Sequence, residues 1–251
     1  MQNTDDRSVR ASVAMAVYNA EKYICEQVDS ILALMGKNDE LVISYDKSAD
    51  RTWEIINAYA KTDGRVRVMK NSRKSGVRGN FTNATEHCRG KYIFLSDQDD
   101  VWINDKINKI VDIFENTNAL LVVHDAYEGD TELNVTCGSV FEKYKISKSG
   151  FRNYVSSTAS GCCMAFRAEI KDILLPFPEN NAHDVWTMMV CAALGKIFLL
   201  YEILIIHRLH GENVTVGRRA LPVVIKDRAS LGAHYAARMV KYICLKKRRQ
   251  K

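Results

Sequence analysis

The sequence predicts an α/β domain built on a mixed, mainly parallel sheet that is flanked by helices. Apolar runs of strand length alternate with segments whose apolar residues recur at helical spacing. Strands that alternate with helices pair in parallel through right-handed crossovers. With 251 residues, 47% of them hydrophobic, the chain is long enough to bury a large core.

The first half of the chain is expected to supply four strands, at residues 12–17, 40–45, 65–69 and 91–96. Ile24, Val28 and Ile31 then mark a helix after the first strand. Asp50 is suited to cap a second helix, and the glycine-rich segment 75–80 opens a third. The fourth strand ends directly in an acidic cluster, Asp97-Gln98-Asp99-Asp100.

The second half is less regular in pattern. The expected elements are strands at 119–124, 162–166 and 196–201, a helix after Arg167, and another that starts near His183-Asp184. Because parallel strands bind ligands at their carboxyl ends, we expect the segment after Asp46 and the acidic cluster to share one cleft.

Composition excludes several classes of protein. No apolar run approaches the roughly 20 residues of a membrane-spanning helix, and residues 1–6 lack the pattern of a secretory signal, so we expect a cytoplasmic chain. The seven cysteines include no C-x-x-C pair. They therefore predict neither a disulfide framework nor a zinc ribbon, and most are expected to be small buried residues.

The net charge of +6 is unevenly distributed, because residues 218–251 alone carry about +10. In this tail Leu231, Tyr235, Met239 and Ile243 recur every four residues, which predicts an amphipathic helix. Two interpretations stay open: a helix that packs on the core, or a basic helix that docks on anionic lipid at the inner face of the plasma membrane. Nucleic acid is not an expected partner, since the rest of the chain is slightly acidic.

The acidic cluster is the strongest candidate for a site. Three carboxylates within four residues repel one another and lose solvation beside a buried strand, unless a cation compensates. Oxygen ligands suit Mg²⁺ or Mn²⁺, which share their coordination shell with substrate phosphates. The alternative is an acidic surface loop, but a position between an apolar strand and Trp102 favours the metal site.

The sequence resembles the inverting family 2 glycosyltransferases of the GT-A fold, especially the rhamnosyltransferase-like branch of bacterial surface polysaccharide synthesis. The matching segments, in order along the chain, are Ser12-Val-Ala-Met-Ala-Val-Tyr-Asn19, Asp46-Lys-Ser-Ala-Asp-Arg-Thr52, Tyr92-Ile-Phe-Leu-Ser-Asp-Gln-Asp-Asp-Val-Trp102, Gly161-Cys-Cys-Met-Ala-Phe166, His183-Asp-Val-Trp186 and His207-Arg-Leu-His-Gly-Glu-Asn213. Each motif is weak alone, whereas six in order are specific.

The resemblance implies roles at the nucleotide end. Asp99 and Asp100 would lie at the ribose and a Mn²⁺ or Mg²⁺ ion, with Asp100 the direct ligand, and Asp97 would support the nucleotide sugar. Asp46 would accept a hydrogen bond from a pyrimidine base. Tyr18 would touch the nucleotide, although a packing role fits it equally well.

The resemblance also implies roles for the later motifs. Asp184 would be the general base that deprotonates the acceptor hydroxyl; considered alone, it fits a first-turn acid of a helix equally well. Arg208 would meet the diphosphate or the metal, and His210 would be a further metal ligand or a structural histidine. Outside the matched motifs, Arg78 near the glycine-rich segment fits either a phosphate contact or a solvated face. His183 would orient Asp184 or satisfy a local hydrogen bond.

The domain boundaries follow from these motifs. We expect a GT-A domain at 10–217, with a nucleotide half to about 102 and an acceptor half from 103, followed by the basic helix and tail at 218–251. The implied reaction moves a sugar from a UDP- or dTDP-linked donor, dTDP-rhamnose among the candidates, to a glycan or lipid-linked acceptor. The alternatives are a nucleotidyltransferase of related fold and a non-catalytic nucleotide-sugar-binding protein.

Overall fold

The computed structural model describes residues 9–178, 182–211 and 221–249, with side chains placed for 226–243 of the last segment. Its first half is a parallel sheet in the order β3-β2-β1-β4. The strands and the helices between them are β1 (Ala11–Val17), α1 (Ile24–Leu34), β2 (Asp39–Tyr45), α2 (Thr52–Thr62), β3 (Val66–Lys70), α3 (Val77–His87) and β4 (Tyr92–Ser96).

The second half continues the same sheet as β4-β8-β6-β9-β5, with β7 paired to β6. Strand β8 is antiparallel to both its neighbours, whereas β6 and β9 are parallel. The elements are β5 (Val101–Trp102), α4 (Lys106–Asn116), β6 (Leu121–Gly129), β7 (Val135–Cys137), α5 (Val140–Tyr144), α6 (Gly150–Val155), β8 (Met164–Arg167), α7 (Lys171–Leu174), α8 (His183–Ala193), β9 (Ile197–Arg208) and α9 (Leu221–Arg249).

The predicted fold class is confirmed as a mixed α/β sheet flanked by helices, with the all-parallel run confined to the first half. Strands β1 and β4 are buried along almost their whole length. Both are covered on two faces, which is why their sequences are nearly continuous apolar runs rather than alternating ones. Their carboxyl ends therefore open onto one protected edge of the sheet.

Several predicted boundaries were wrong in the second half. The strand expected at 162–166 begins at Met164, because Gly161–Cys163 form a short 3₁₀ turn. The strand expected at 196–201 continues to Arg208. The two-residue strand β5 carries no periodicity that a sequence pattern could detect, and pairs with β9.

Helix α9 packs on the body of the protein through part of its predicted apolar face. Leu231 is fully buried, and Tyr235 and Met239 lie against the core. Ile243 does not follow them, since it is 48% exposed. Arg238 also contacts the body of the protein, since its guanidinium lies 5.5 Å from the ring centre of Trp186. No helix within the described ranges is both long and apolar enough to cross a membrane.

Gly161 allows the 3₁₀ turn to approach the start of α8. A Cβ at position 161 would lie 2.2 Å from Nε2 of His183. That ring cannot easily move away, because it is stacked on Phe81 at 4.4 Å and packs against Phe177 at 5.7 Å. Only glycine fits between this turn and the first residue of α8.

We expect Gly161→Ala to lower the free energy of unfolding by about 1–3 kcal/mol, because the added methyl overpacks a confined ring. Urea unfolding measures the change. Gly138→Ala is the matched control, since a Cβ there meets nothing within 4 Å, and it should stay within about 0.5 kcal/mol of wild type. Removing the ring with His183→Ala should make the two losses less than additive; strict additivity would contradict the steric explanation.

Candidate functional site

The ends of β1 and β2 are joined by a set of backbone-to-side-chain hydrogen bonds. Asn19 N–H donates to Ser48 Oγ at 2.9 Å, and Asn19 Oδ1 accepts from Ala49 N–H at 2.9 Å. The Asp50 carboxylate accepts from Glu21 N–H at 3.0 Å and also from the backbone at the start of α2. Ser48 and Asp50 therefore connect the carboxyl ends of the two strands, and Asp50 also binds the first turn of α2, as expected for a capping residue.

The end of β1 is also joined to the acidic cluster. Tyr18 N–H donates to Gln98 Oε1 at 2.7 Å, and Gln98 Nε2 donates back to Tyr18 C=O at 2.9 Å. Gln27 of α1 holds the neighbouring Asp97 carbonyl at 3.0 Å. The two predicted segments thus meet at Tyr18–Asn19, and the Tyr18 side chain projects from this junction with 55% of its surface exposed.

Asp46 is buried at the end of β2 and anchors the next loop. Its Oδ1 accepts from Asn71 Nδ2 at 2.8 Å and its Oδ2 from Gly76 N–H at 2.7 Å. The preceding residue, Tyr45, packs on Trp53 at 4.8 Å and is nearly buried. The structure therefore gives Tyr45 a packing role and leaves Asp46 as the carboxylate of this segment.

The three acids of the cluster have unequal environments. Asp100 is fully buried, with its Oδ1 2.8 Å from His207 Nδ1 and 3.2 Å from Arg208 N. Asp99 lies 2.8 Å from His210 Nε2 through its Oδ2. Asp97 is partly exposed at the start of the loop. The cluster thus faces the two histidines that the last motif supplies.

Charges in the cluster shift the pKa values in different directions. Burial, the charge of Cys162 and the neighbouring carboxylates raise the pKa of Asp97 well above its usual value. Burial and Asp100 likewise raise the pKa of Asp99. Burial also acts against the charged form of Asp100, but His207, the Cys162 thiol and the Arg208 N–H together outweigh it and hold the pKa of Asp100 below its usual value. Asp100 is therefore the carboxylate that stays ionised.

Arg208 holds the acidic loop from the opposite side. Its Nε donates to the Asp99 carbonyl at 2.9 Å, and its other nitrogens donate to the Thr131 carbonyl and to Glu26. The guanidinium also lies 4.6 Å from the ring centre of Tyr23. Arg208 therefore links β9 and α1 to the acidic loop and holds that loop in place.

The His183-Asp184 motif begins α8, as predicted. Asp184 is partly exposed, and its Oδ1 accepts from Val185 N–H at 2.6 Å. Burial lowers the pKa of His183, and its Nε2 has no hydrogen-bond partner among the described residues. The charges of Asp184 and Arg78 both act on the pKa of His183, so both charged groups lie near this ring.

Cys162 belongs to the site, although no expectation from the sequence gave it more than a buried, apolar role. Cys88, Cys162, Cys163 and Cys191 are buried as expected, whereas Cys25 is exposed and Cys137 half-buried. Cys162 differs from an apolar filler, because its Sγ, Asp100 and His207 offer donor atoms that all lie within 4.8 Å of one another. A hydrogen bond from the Cys163 thiol lowers the pKa of Cys162 to about 7.

Lys106 was missed as well. It is fully buried at the start of α4, with its Nζ 2.8 Å from the Cys162 carbonyl and 3.8 Å from the ring centre of Trp102. Burial lowers the pKa of this lysine to about 8. No motif marks Lys106 in the sequence, whereas the structure places this buried cation near the acidic cluster.

Comparison with known sequences and structures gives one consistent family. The family described as Glycosyl transferase family 2 matches residues 12–174. An uncharacterized glycosyltransferase of Haemophilus influenzae is 34% identical over 196 residues, which is 76% of this chain and 75% of that protein. Escherichia coli WfaP, a UDP-Glc:alpha-D-GlcNAc-diphosphoundecaprenol beta-1,3-glucosyltransferase, is 28% identical, over 70% of this chain and 68% of its own.

A solved structure agrees on the fold. The crystal structure of S. aureus TarS in complex with UDP-GlcNAc superposes with a TM-score of 0.73 over 91% of this chain and 69% of the TarS chain, at 19% identity. The superposition supports the GT-A fold, to which the sheet order and the acidic loop at the end of β4 also conform. The chain belongs to glycosyl transferase family 2 and has the GT-A fold.

Proposed function

We propose that this glycosyltransferase moves a sugar from a UDP- or dTDP-linked donor to a hydroxyl of a glycan or lipid-linked acceptor, with inversion, during surface polysaccharide synthesis. The observation that carries the proposal is the pairing of Asp99 with His210 and of Asp100 with His207 at one edge of the sheet, with Asp184 beyond the 3₁₀ turn. An acidic loop closed by imidazoles suits a cation-assisted diphosphate site.

The donor would lie along the carboxyl ends of β1, β2 and β4. Asp46 and the loop it anchors would form the base end, and the exposed side chain of Tyr18, whose backbone pairs with Gln98, would touch the nucleotide. Two comparisons support a UDP sugar as the donor: the TarS crystal contains UDP-GlcNAc, and the name of WfaP specifies UDP-Glc. Arg78, at the start of α3 and near His183, is suited to the diphosphate or the transferred sugar.

The residues at the acidic cluster fit a divalent cation. Asp100 Oδ2 is buried without a hydrogen-bond partner in the described part of the chain, which is costly for an ionised carboxylate unless a cation compensates. Asp99, Asp100 and His210 would hold Mn²⁺ or Mg²⁺, with His207 beside Asp100. When bound, such an ion neutralises charge on the leaving diphosphate.

Asp184 would act as the general base. Its carboxylate takes the proton of the acceptor hydroxyl, whose oxygen bonds to the anomeric carbon as the bond from that carbon to the diphosphate oxygen breaks. Attack from the face opposite the leaving group inverts the anomeric centre. His183, neutral and confined between Phe81 and Phe177, would keep Asp184 at the mouth of the cleft.

We expect metal-dependent nucleotide binding that requires Asp100. Isothermal titration of UDP should show binding at least roughly tenfold tighter with Mn²⁺ than without it. Asp100→Ala should remove this gain in UDP affinity, because the ion loses its buried ligand. Asp112→Ala, on the exposed face of α4, is the control and should retain it. Equal binding with and without Mn²⁺ in the wild type would exclude the metal assignment.

Asp184→Asn should separate binding from chemistry. We expect UDP affinity close to wild type and sugar transfer slower by about 10²- to 10⁴-fold, because the amide cannot accept the hydroxyl proton. Asp112→Asn serves as the matched control and should transfer at the wild-type rate. A thermal-shift panel of UDP-, dTDP- and GDP-sugars identifies the donor for this assay, since a ligand of the folded state raises the melting temperature. Normal turnover in Asp184→Asn would remove that residue from the base role.

A lipid-linked acceptor would place the protein at an anionic membrane. The tail at 218–251 carries about +10 of charge, and the apolar side chains of Phe151, Val155, Val240 and Ile243 are exposed. A cavity of about 360 Å³ between α6, α8 and α9 is lined by Phe151 and Tyr235. Basic charge beside exposed apolar groups favours an anionic lipid surface, and WfaP acts on an undecaprenol-linked acceptor by name.

We expect binding to vesicles of phosphatidylglycerol and phosphatidylcholine but not to phosphatidylcholine alone. Changing Lys246, Lys247 and Arg248 together to Gln should weaken sedimentation with the anionic vesicles by roughly tenfold or more, since each basic residue near such a surface contributes about 1 kcal/mol. The control changes three exposed lysines elsewhere, Lys37, Lys61 and Lys145, to Gln. Equal loss in both variants would indicate a general charge effect rather than docking by the tail.

A further inference from the structure

The donor atoms of Asp100, Cys162 and His207 meet at one point inside the site. His207 Nδ1 lies 2.8 Å from Asp100 Oδ1 and 3.8 Å from Cys162 Sγ. All three donors lie within 4.8 Å of one another, and they come from three separate elements: the loop after β4, the 3₁₀ turn and β9. The three residues are far apart in the sequence, so the fold brings them together.

The sulfur-to-nitrogen spacing suits a single tetrahedral cation. Bonds of about 2.3 Å to sulfur and about 2.0 Å to nitrogen at a tetrahedral angle place the two ligand atoms roughly 3.6 Å apart, and the observed distance is 3.8 Å. The shorter 2.8 Å contact between His207 Nδ1 and Asp100 Oδ1 is a hydrogen bond, which a shared cation would replace. Asp100 and Cys162 are fully buried, and Asp100 Oδ2 has no hydrogen-bond partner in the described ranges, so this carboxylate has an unused acceptor.

We propose that Cys162 supplies a thiolate to the cation held by Asp100 and His207, so that the site prefers a thiophilic ion such as Zn²⁺ or Co²⁺ to Mg²⁺. A carboxylate cluster alone favours Mg²⁺ or Mn²⁺, whereas sulfur and imidazole ligands shift the preference toward Zn²⁺ and Co²⁺. The proposal deepens the metal site of the proposed function. It keeps Asp100 as a ligand, but Cys162 and His207 take the places given above to Asp99 and His210. These three protein ligands would hold a thiophilic ion without nucleotide.

The alternative for Cys162 is a local hydrogen bond. Its Sγ lies 3.3 Å from Ser160 Oγ, which satisfies a thiol without any metal. That contact does not explain the approach of the sulfur to His207 or the unpartnered oxygen of Asp100. The two alternatives differ in a spectroscopic property, because a thiolate bound to Co²⁺ gives a sulfur-to-metal charge-transfer band in the near ultraviolet.

The test titrates the full chain, stripped with a chelator, with Co²⁺ in the absence of nucleotide. We expect the charge-transfer band to saturate at one equivalent, and Zn²⁺ to displace Co²⁺ where excess Mg²⁺ does not. Cys162→Ser should abolish the band and weaken Zn²⁺ binding by more than roughly tenfold. Cys191→Ser, which changes a buried thiol of α8 outside the donor cluster, should keep both.

The outcomes separate this proposal from the proposed function. Absence of the band in the wild type, or a band that persists in Cys162→Ser, overturns thiolate ligation even if Mn²⁺ still strengthens UDP binding through Asp100. A band that depends on Cys162, in a chain that binds no UDP, would support Cys162 as a metal ligand. The same result would contradict only the proposed donor site. The wild-type titration does not depend on the folding of any variant.

Discussion

The contact between the buried carboxylate of Asp100 and the end of β9 is the constraint on which the site depends. Asp100 Oδ1 lies 2.8 Å from His207 Nδ1 and accepts a hydrogen bond from Arg208 N–H at 3.2 Å. Asp100 lies in the loop after β4, the last strand of the parallel half, whereas both partners belong to β9 of the mixed half. A fully buried charge is tolerated only where partners satisfy it, so this carboxylate requires the two halves to meet there.

The contacts around Arg208 extend that constraint to α1. Its guanidinium holds the Asp99 carbonyl, the Thr131 carbonyl and Glu26, and it lies over Tyr23. A planar guanidinium makes several directed hydrogen bonds at once, which a lysine cannot reproduce. On the other side the Gln98 amide pairs with both backbone groups of Tyr18. The acidic loop is thus held from β1, α1 and β9, and its carboxylates are positioned before any ligand arrives.

The fold and the order of the motifs could be predicted because both are local in the sequence. Apolar runs covered by helices identify parallel strands, and the acids directly after Ser96 could only lie at a carboxyl edge. Cys162 could not be found in that way, since 62 residues separate it from Asp100 and a cysteine beside an apolar strand normally indicates packing. Lys106 was hidden for a similar reason: a lysine on an amphipathic helix is usually solvated, whereas this one lies against Trp102.

The 3₁₀ turn at Gly161–Cys163 joins the start of α8 to the acidic cluster. Gly161 has no side chain, so the His183 ring can pack against it. The next residue, Cys162, brings its sulfur close to Asp100 and His207. Adjacent residues of one turn thus contact the first residue of α8 and the buried end of the acidic cluster. A side chain at position 161 would displace either the turn or the ring, and a displaced turn would also move the sulfur of Cys162 relative to Asp100.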